Sequence, residues 1–471
     1  MSCTRAFLFV AWAGMLVSGC VNYQPEPISA AANARALDSR SLGDPRLRQF
    51  VALAMHPNGD PQPVKWDLTA LTLAALYYHP DLALAHAKLA AARAAVITAA
   101  EHPNPVLNFT NIVGQGLVPG AIPIGAAPLT IGPVVDFVLE TFGKREARTA
   151  EAQHLADAAR YDLATAAWQV RGRVRAALLA VWAAEQRLAL TRQQLTSEEQ
   201  LVELLQHRFT NGEASSLDLQ RERINREEIE LSVHELEQTG AEARVQLATA
   251  IGVPVEALDG AELGMNAFDH PPQIGANSGT WRREALTERS DIQASLADYE
   301  AAQSALRLAV AGQFPNLILS PGYTYEYGIN QYELNLSTTL PIFNQNQGPI
   351  AEALAKRQQA AATFTVLQAQ VIGAIDEAAI AYRKSTQTLA AADALLADER
   401  HRTAQMENSF RAGQIDRPTL VAAQAEAAVT ALARFDAVVR QRQALGSLED
   451  ALQRSLYGLD ILSTAQPESS T

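Results

Sequence analysis

The sequence predicts a mainly α-helical protein that also contributes strands to a membrane β-barrel. It is built from one helix–strand–strand–long helix–long helix unit written twice. Three observations carry this: an internal duplication, helical stretches too long for a compact domain, and strand segments that alternate apolar with polar residues.

The duplication decides the architecture before any motif does. Ala75-Leu76, Asp81, Ala91-Ala92, Ala95, Pro105 and Leu107 recur as Ala285-Leu286, Asp291, Ala301-Ala302, Ala305, Pro315 and Leu317 at one constant offset, without a gap. Ala150-Glu151, Gln169-Val170, Phe209, Gly212 and Leu219 recur as Ala351-Glu352, Gln370-Val371, Phe410, Gly413 and Leu420 at a slightly smaller one. The first copy therefore carries extra residues between Pro105 and Ala150. The two repeats are assigned to residues 67–268 and 269–458. Residues 20–66, proline-containing and without sustained periodicity, are expected to form an extended segment, and 459–471 a disordered tail.

In the first copy Leu155, Ala159, Leu163, Ala166, Val170, Val174, Leu178 and Val181 fall at steps of three or four, the spacing of one helix face. At 1.5 Å per residue, a helix from Lys144 to Gln206 is roughly 90 Å long, more than a compact domain of this size accommodates. The alanine-rich face lets neighbouring helices approach closely.

Strands are expected at Val106–Ile112 and Val134–Phe142 in copy one (about 105–112 and 133–142), and at Leu317–Tyr325 and Gln331–Leu340 in copy two (about 316–325 and 331–341). In the last, Tyr332, Leu334, Leu336, Thr338 and Leu340 share one face, and Glu333, Asn335, Ser337 and Thr339 the other, so one suits lipid and the other water. Gly114–Gly132 reads as the loop of the first pair and Tyr327–Asn330 as that of the second. Tyr323, Tyr325, Tyr327 and Tyr332 lie where an interfacial aromatic girdle would sit. A soluble sheet with a polar outer face is the alternative for the strands alone. In a membrane four strands cannot close, and each unpaired backbone group costs several kcal/mol, so several copies of the chain must share one barrel.

A net charge of −13 lacks the basic face that phosphate neutralisation needs, which argues against a nucleic-acid partner. The two cysteines, Cys3 and Cys20, leave the rest of the chain without a disulfide or a cysteine metal site. Arg5, the apolar run Ala6–Val17 and the small pair Ser18-Gly19 before Cys20 have the order of a secretory signal ending in a lipobox-like sequence. Residues 1–19 are thus expected to be a signal peptide and Cys20 the lipidated first residue of the mature chain. Val21 is not the aspartate that retains some lipoproteins in the inner membrane, which favours the outer membrane.

Pro315-Asn316-Leu317 entering a strand, Leu340-Pro341-Ile342-Phe343 leaving one, and the breaks Arg208-Phe209-Thr210-Asn211-Gly212 and Phe410-Arg411-Ala412-Gly413 give the mature chain its resemblance to the TolC-like outer-membrane factors. With its lipobox-like start, the chain resembles the lipoprotein-type members that serve resistance-nodulation-division efflux systems. The resemblance implies a homotrimer with a 12-stranded β-barrel in the outer membrane and a long α-helical barrel in the periplasm of a Gram-negative bacterium. It also implies passive export of small molecules or metal ions from an inner-membrane pump through a periplasmic adaptor. A type I secretion duct and a non-pore periplasmic coiled-coil lipoprotein are the alternatives.

By the same resemblance Arg208, Phe209, Gly212, Phe410 and Gly413 lie at the periplasmic tip where the adaptor docks. The plain reading, glycines that turn the chain and phenylalanines that pack, stands beside it. Some members carry gate carboxylates two turns after the second glycine. Here Thr419 and Ala422 occupy that region, so Asp218 and Asp416 are the candidates, against the reading of each as a solvated helix-face residue. No P-loop, Gly-x-Ser-x-Gly elbow or His-Glu-x-x-His motif is present, and the nine histidines are scattered, so neither an enzyme nor a cofactor or metal site is expected.

Overall fold

The computed structural model describes residues 22–55, 65–113, 129–272, 278–326 and 329–456. The expected signal segment, Cys20, Tyr327, the 459–471 tail and most of the Gly114–Gly132 loop lie outside these residues.

The segment expected to be extended, 20–66, contains two helices, α1 (Ala30–Asp38) and α2 (Pro45–Met55). Ser29 caps α1 by accepting from the Ala32 amide at 3.3 Å, and Asp44 accepts from the Arg46 amide at 2.7 Å. Pro45 opens α2 because a first-turn residue needs no amide donor, so this proline begins structure rather than breaking it. Leu47 and Val51, one turn apart, are fully buried.

The single leading helix expected in each repeat is two. In the first, α3 (Leu68–Tyr78) is capped by Asp67 and followed by α4 (Pro80–Ala100). Pro80 keeps His79 out of helical geometry, at ψ 127°. In the second, α8 (Ser278–Glu288) and α9 (Ser290–Ala311) are separated by Arg289 at ψ 135°. Between the repeats lie a one-turn helix, α7 (Asn266–Asp269), and a 3₁₀ turn at Val255–Leu258.

Strands β1 (Val106–Val113), β2 (Leu129–Leu139), β3 (Leu317–Glu326) and β4 (Ile329–Thr338) form one antiparallel sheet in the order β1-β2-β3-β4. β2 starts earlier and stops sooner than expected. Phe142 and Gly143 adopt φ of 59° and 71°, a left-handed corner that turns the chain from strand into helix. Val135↔Leu107 and Val135's same-face neighbour Phe137↔Leu319 continue across to Leu319↔Leu336, so the apolar face runs through the whole sheet. Asn108, Asp136, Ser320, Thr324 and Glu333 occupy the other face, where Asn108 donates to Asp136 at 2.7 Å.

Each strand pair feeds a long hairpin: α5 (Lys144–Thr210) with α6 (Ser216–Ile251), and α10 (Gln347–Arg411) with α11 (Arg417–Leu452). The 67 residues of α5 and 65 of α10 reach about 100 Å. α4 packs on α5, α5 on α9 and α9 on α10, so the helix row α4-α5-α9-α10 repeats the strand row β1-β2-β3-β4.

The core sits midway along the hairpins. Val170, Val174, Leu178 and Val181 are buried there, and Trp182 packs on Phe268 and Phe435 at ring distances of 5.8 and 5.2 Å. Leu155, higher on the same apolar face, is exposed in the single chain. Arg171 and Arg175, one turn apart, enter the core and bind the fully buried Glu449 at 2.8 and 2.6 Å, with Arg175 also reaching Asp450 at 2.6 Å. Burial pushes the Glu449 carboxyl up, but the two guanidiniums outweigh it and hold it below its ordinary value.

Candidate functional site

The helix breaks at the far ends of the two hairpins have the same construction. Gly212 at φ 75° donates its amide to Phe209 O at 3.0 Å, and Glu213 to Arg208 O at 2.8 Å. Gly413 at φ 69° donates to Phe410 O and Gln414 to Ser409 O, both at 2.9 Å. These paired bonds satisfy the last carbonyls of α5 and α10, and the left-handed residue they require is glycine at both places. No atom lies within 4 Å of where a Cβ would stand on either glycine, so positive φ alone, not crowding, selects it within one chain. Phe209 and Phe410 remain 40% and 37% exposed, leaving apolar surface at each tip.

The next helices restart from Ser215, which accepts from the Leu217 amide at 3.1 Å, and from Asp416, which accepts from the Thr419 amide at 3.1 Å. Asp416 also accepts from the Thr419 hydroxyl at 2.5 Å and pairs with Arg208 at 2.7 Å, joining the two tips. The Thr419 hydrogen bonds, and then Arg208, hold the Asp416 carboxyl below its ordinary value. Of the two gate candidates, Asp416 is therefore committed to a cap and a cross-tip ion pair. Asp218 lies in the first turn of α6, where the helix dipole favours a carboxylate. The two are not brought together in an ion-pair or hydrogen-bond network.

One feature the motifs did not reveal lies above the tip, between α5 and α6. Glu198 is 2% exposed, lies beside Glu222 and Asn225, and keeps one carboxyl oxygen without a partner. Burial and then Glu222 push its pKa up to about 7. The facing carboxylates become visible only when α6 folds back on α5. No group of His, Cys, Asp and Glu that could hold a metal ion occurs among the described residues.

Residues 72–253 match the family model described as outer membrane efflux protein. The pyoverdine export outer membrane protein OpmQ of Pseudomonas aeruginosa is 28% identical over 304 residues, covering 60% of this chain and 62% of OpmQ. Its Pseudomonas putida counterpart is 27% identical over 226 residues, 46% of this chain and 47% of that protein. The chain thus matches less than two thirds of the length of either relative. Among solved structures, the outer-membrane channel OprN has a TM-score of 0.68 at 21% identity, over 93% of this chain and 99% of that one. The outer membrane protein VceC of Vibrio cholerae has a TM-score of 0.67 at 18% identity, over 83% and 96%. The first repeat thus matches the outer membrane efflux protein family model, and the chain shares the fold of these solved outer-membrane channels along nearly its whole length.

Proposed function

We propose that three copies of this chain form an outer-membrane exit duct that passively conducts cargo from an inner-membrane pump, through a periplasmic adaptor, to the outside. The carrying observation is that sheet and helix row are left open at the same two sides. β1 and α4 lie on one side and β4 and α10 on the other. An open edge in hydrocarbon is costly, and the same two unlike edges on every copy close a ring by head-to-tail pairing. α4 exposes Leu84 and Ile97, and α10 exposes Leu354, Val366 and Ile380, apolar surface that suits burial against the next copy. A non-pore spacer has no use for a sheet apolar on one face and polar on the other.

In this reading residues 1–19 direct export, Cys20 carries a lipid anchor, and the Gly212 and Gly413 tips with Arg208, Phe209 and Phe410 meet the adaptor. Asp416 and Asp218 are the candidate gate carboxylates. The name of OpmQ refers to pyoverdine export, which supports export of a small molecule here. Resistance-nodulation-division pumps are the partners the sequence pattern favours. The mass of the complex extracted from outer membranes tests the assembly, with three chains expected.

A further inference from the structure

The corner where strands become helices holds a groove that neither the barrel nor the tips explain. It has a volume of about 460 Å³ and lies between α9 and α10, against the turn that ends β2. Phe142 and Phe314 stack across its upper end at 3.9 Å between ring centroids, yet both are exposed. Lys144 fixes this end by donating to Phe314 O at 2.5 Å and to Asn316 Oδ1 at 2.6 Å. Leu306 and Val310 line the bed one turn apart. Two guanidiniums border it: Arg357, which donates only to Gln303 Oε1 at 3.3 Å, and the exposed Arg307. Neither has a carboxylate partner among the described residues, in a chain whose net charge is −13.

We infer that this groove seats an anionic glycerophospholipid of the membrane's periplasmic leaflet, its phosphate between Arg307 and Arg357 and its acyl chain along Leu306, Val310 and the two phenylalanines. Three features select that occupant. The groove abuts the start of β3 and the end of β2, where the apolar sheet face stops, so it lies at headgroup depth. Its exposed aromatic residues, Phe142 and Phe314, each stand three residues from Leu139 and Leu317, the exposed pair that ends the apolar sheet face. Two unneutralised cations over an apolar bed match a molecule with one negative head and a hydrocarbon body, and arginine holds phosphate by paired donors.

The inference rests on reading the sheet as part of a membrane barrel. The test uses the complete protein purified in detergent, with phosphatidylglycerol and phosphatidylcholine of identical acyl chains titrated and counted by native mass spectrometry. Wild type should prefer phosphatidylglycerol by roughly tenfold or more, as expected when two arginines contribute at a membrane surface. Arg307→Gln with Arg357→Gln should bind the two lipids alike, and Phe314→Ser should weaken both. If the double variant is not recovered, Arg307→Gln alone, at an exposed side chain, should show a smaller loss of preference. Equal binding by wild type, or an unchanged preference in the arginine variants, overturns the site. A three-chain complex from the outer membrane without lipid preference refutes only this site, whereas a single chain from the soluble fraction refutes the barrel itself.

Discussion

At the scale of single residues, the tip glycines and Glu198 make opposite kinds of demand. Gly212 and Gly413 are required by φ, with open space around them. Valine at either strains the turn by roughly 1–2 kcal/mol and covers the end of the hairpin with a branched side chain. Gly212→Val and Gly413→Val should therefore reach the outer membrane at wild-type levels yet lose export, whereas asparagine, which tolerates the left-handed region, should retain it. Surface quantification and cargo accumulation measured in the same cells check this. Normal export by both valine variants would remove the tip from the functional surface, and failure to insert would make the glycines folding residues alone. Glu198 is a matter of charge. Its folded form keeps a proton from its ordinary 4.5 up to about 7, while the unfolded chain has already released it, so stability falls as pH rises through that window. Glu198→Gln should raise the melting temperature at about pH 8, by on the order of 1 kcal/mol of stability, and converge with wild type near pH 4. A difference independent of pH would contradict the burial of this carboxyl.

At the scale of elements, what could be read from sequence follows the reach of each signal. The breaks at Gly212 and Gly413 are local, and the structure places them where the sequence does, whereas Asp416, read from sequence as a gate or helix-face carboxylate, is a helix cap with Pro418 and Thr419 after it. The corner at Phe142 is also local, but a left-handed phenylalanine is not written in its residue type, so the sequence alone carries β2 past its end at Leu139. The helices in 20–66 were obscured because Pro45 punctuates as readily as it initiates. The Arg208–Asp416 and Glu198–Glu222 contacts join residues far apart in the chain or on separate helices, and no periodicity announces them. The sheet faces were legible because a two-residue alternation fixes them. Leu336 is 65% exposed and lies on the apolar face, with Ser337 on the other. Leu336→Arg should destabilise the assembled barrel by roughly 2–4 kcal/mol, while Ser337→Arg should cost much less. Heat-resistance of the complex on semi-native gels measures this. Equal tolerance at the two positions would mean that the apolar face does not meet lipid.

At the scale of the whole molecule, the duplication explains why one chain spans such different surroundings. Each repeat supplies two strands and a hairpin, and β2 with α5 meets β3 with α9 so that the repeats join side by side in both layers. The buried Arg171–Glu449 and Arg175–Glu449 pairs tie the first repeat's long helix to the second repeat's last one. What one chain leaves uncovered is equally systematic: a strand edge and an apolar helix on each flank, with unlike partners on the two sides. The most direct test is the mass of the intact complex extracted from outer membranes in a mild detergent. Three chains are predicted; a single chain, stable and monodisperse under the same conditions, would contradict the shared barrel.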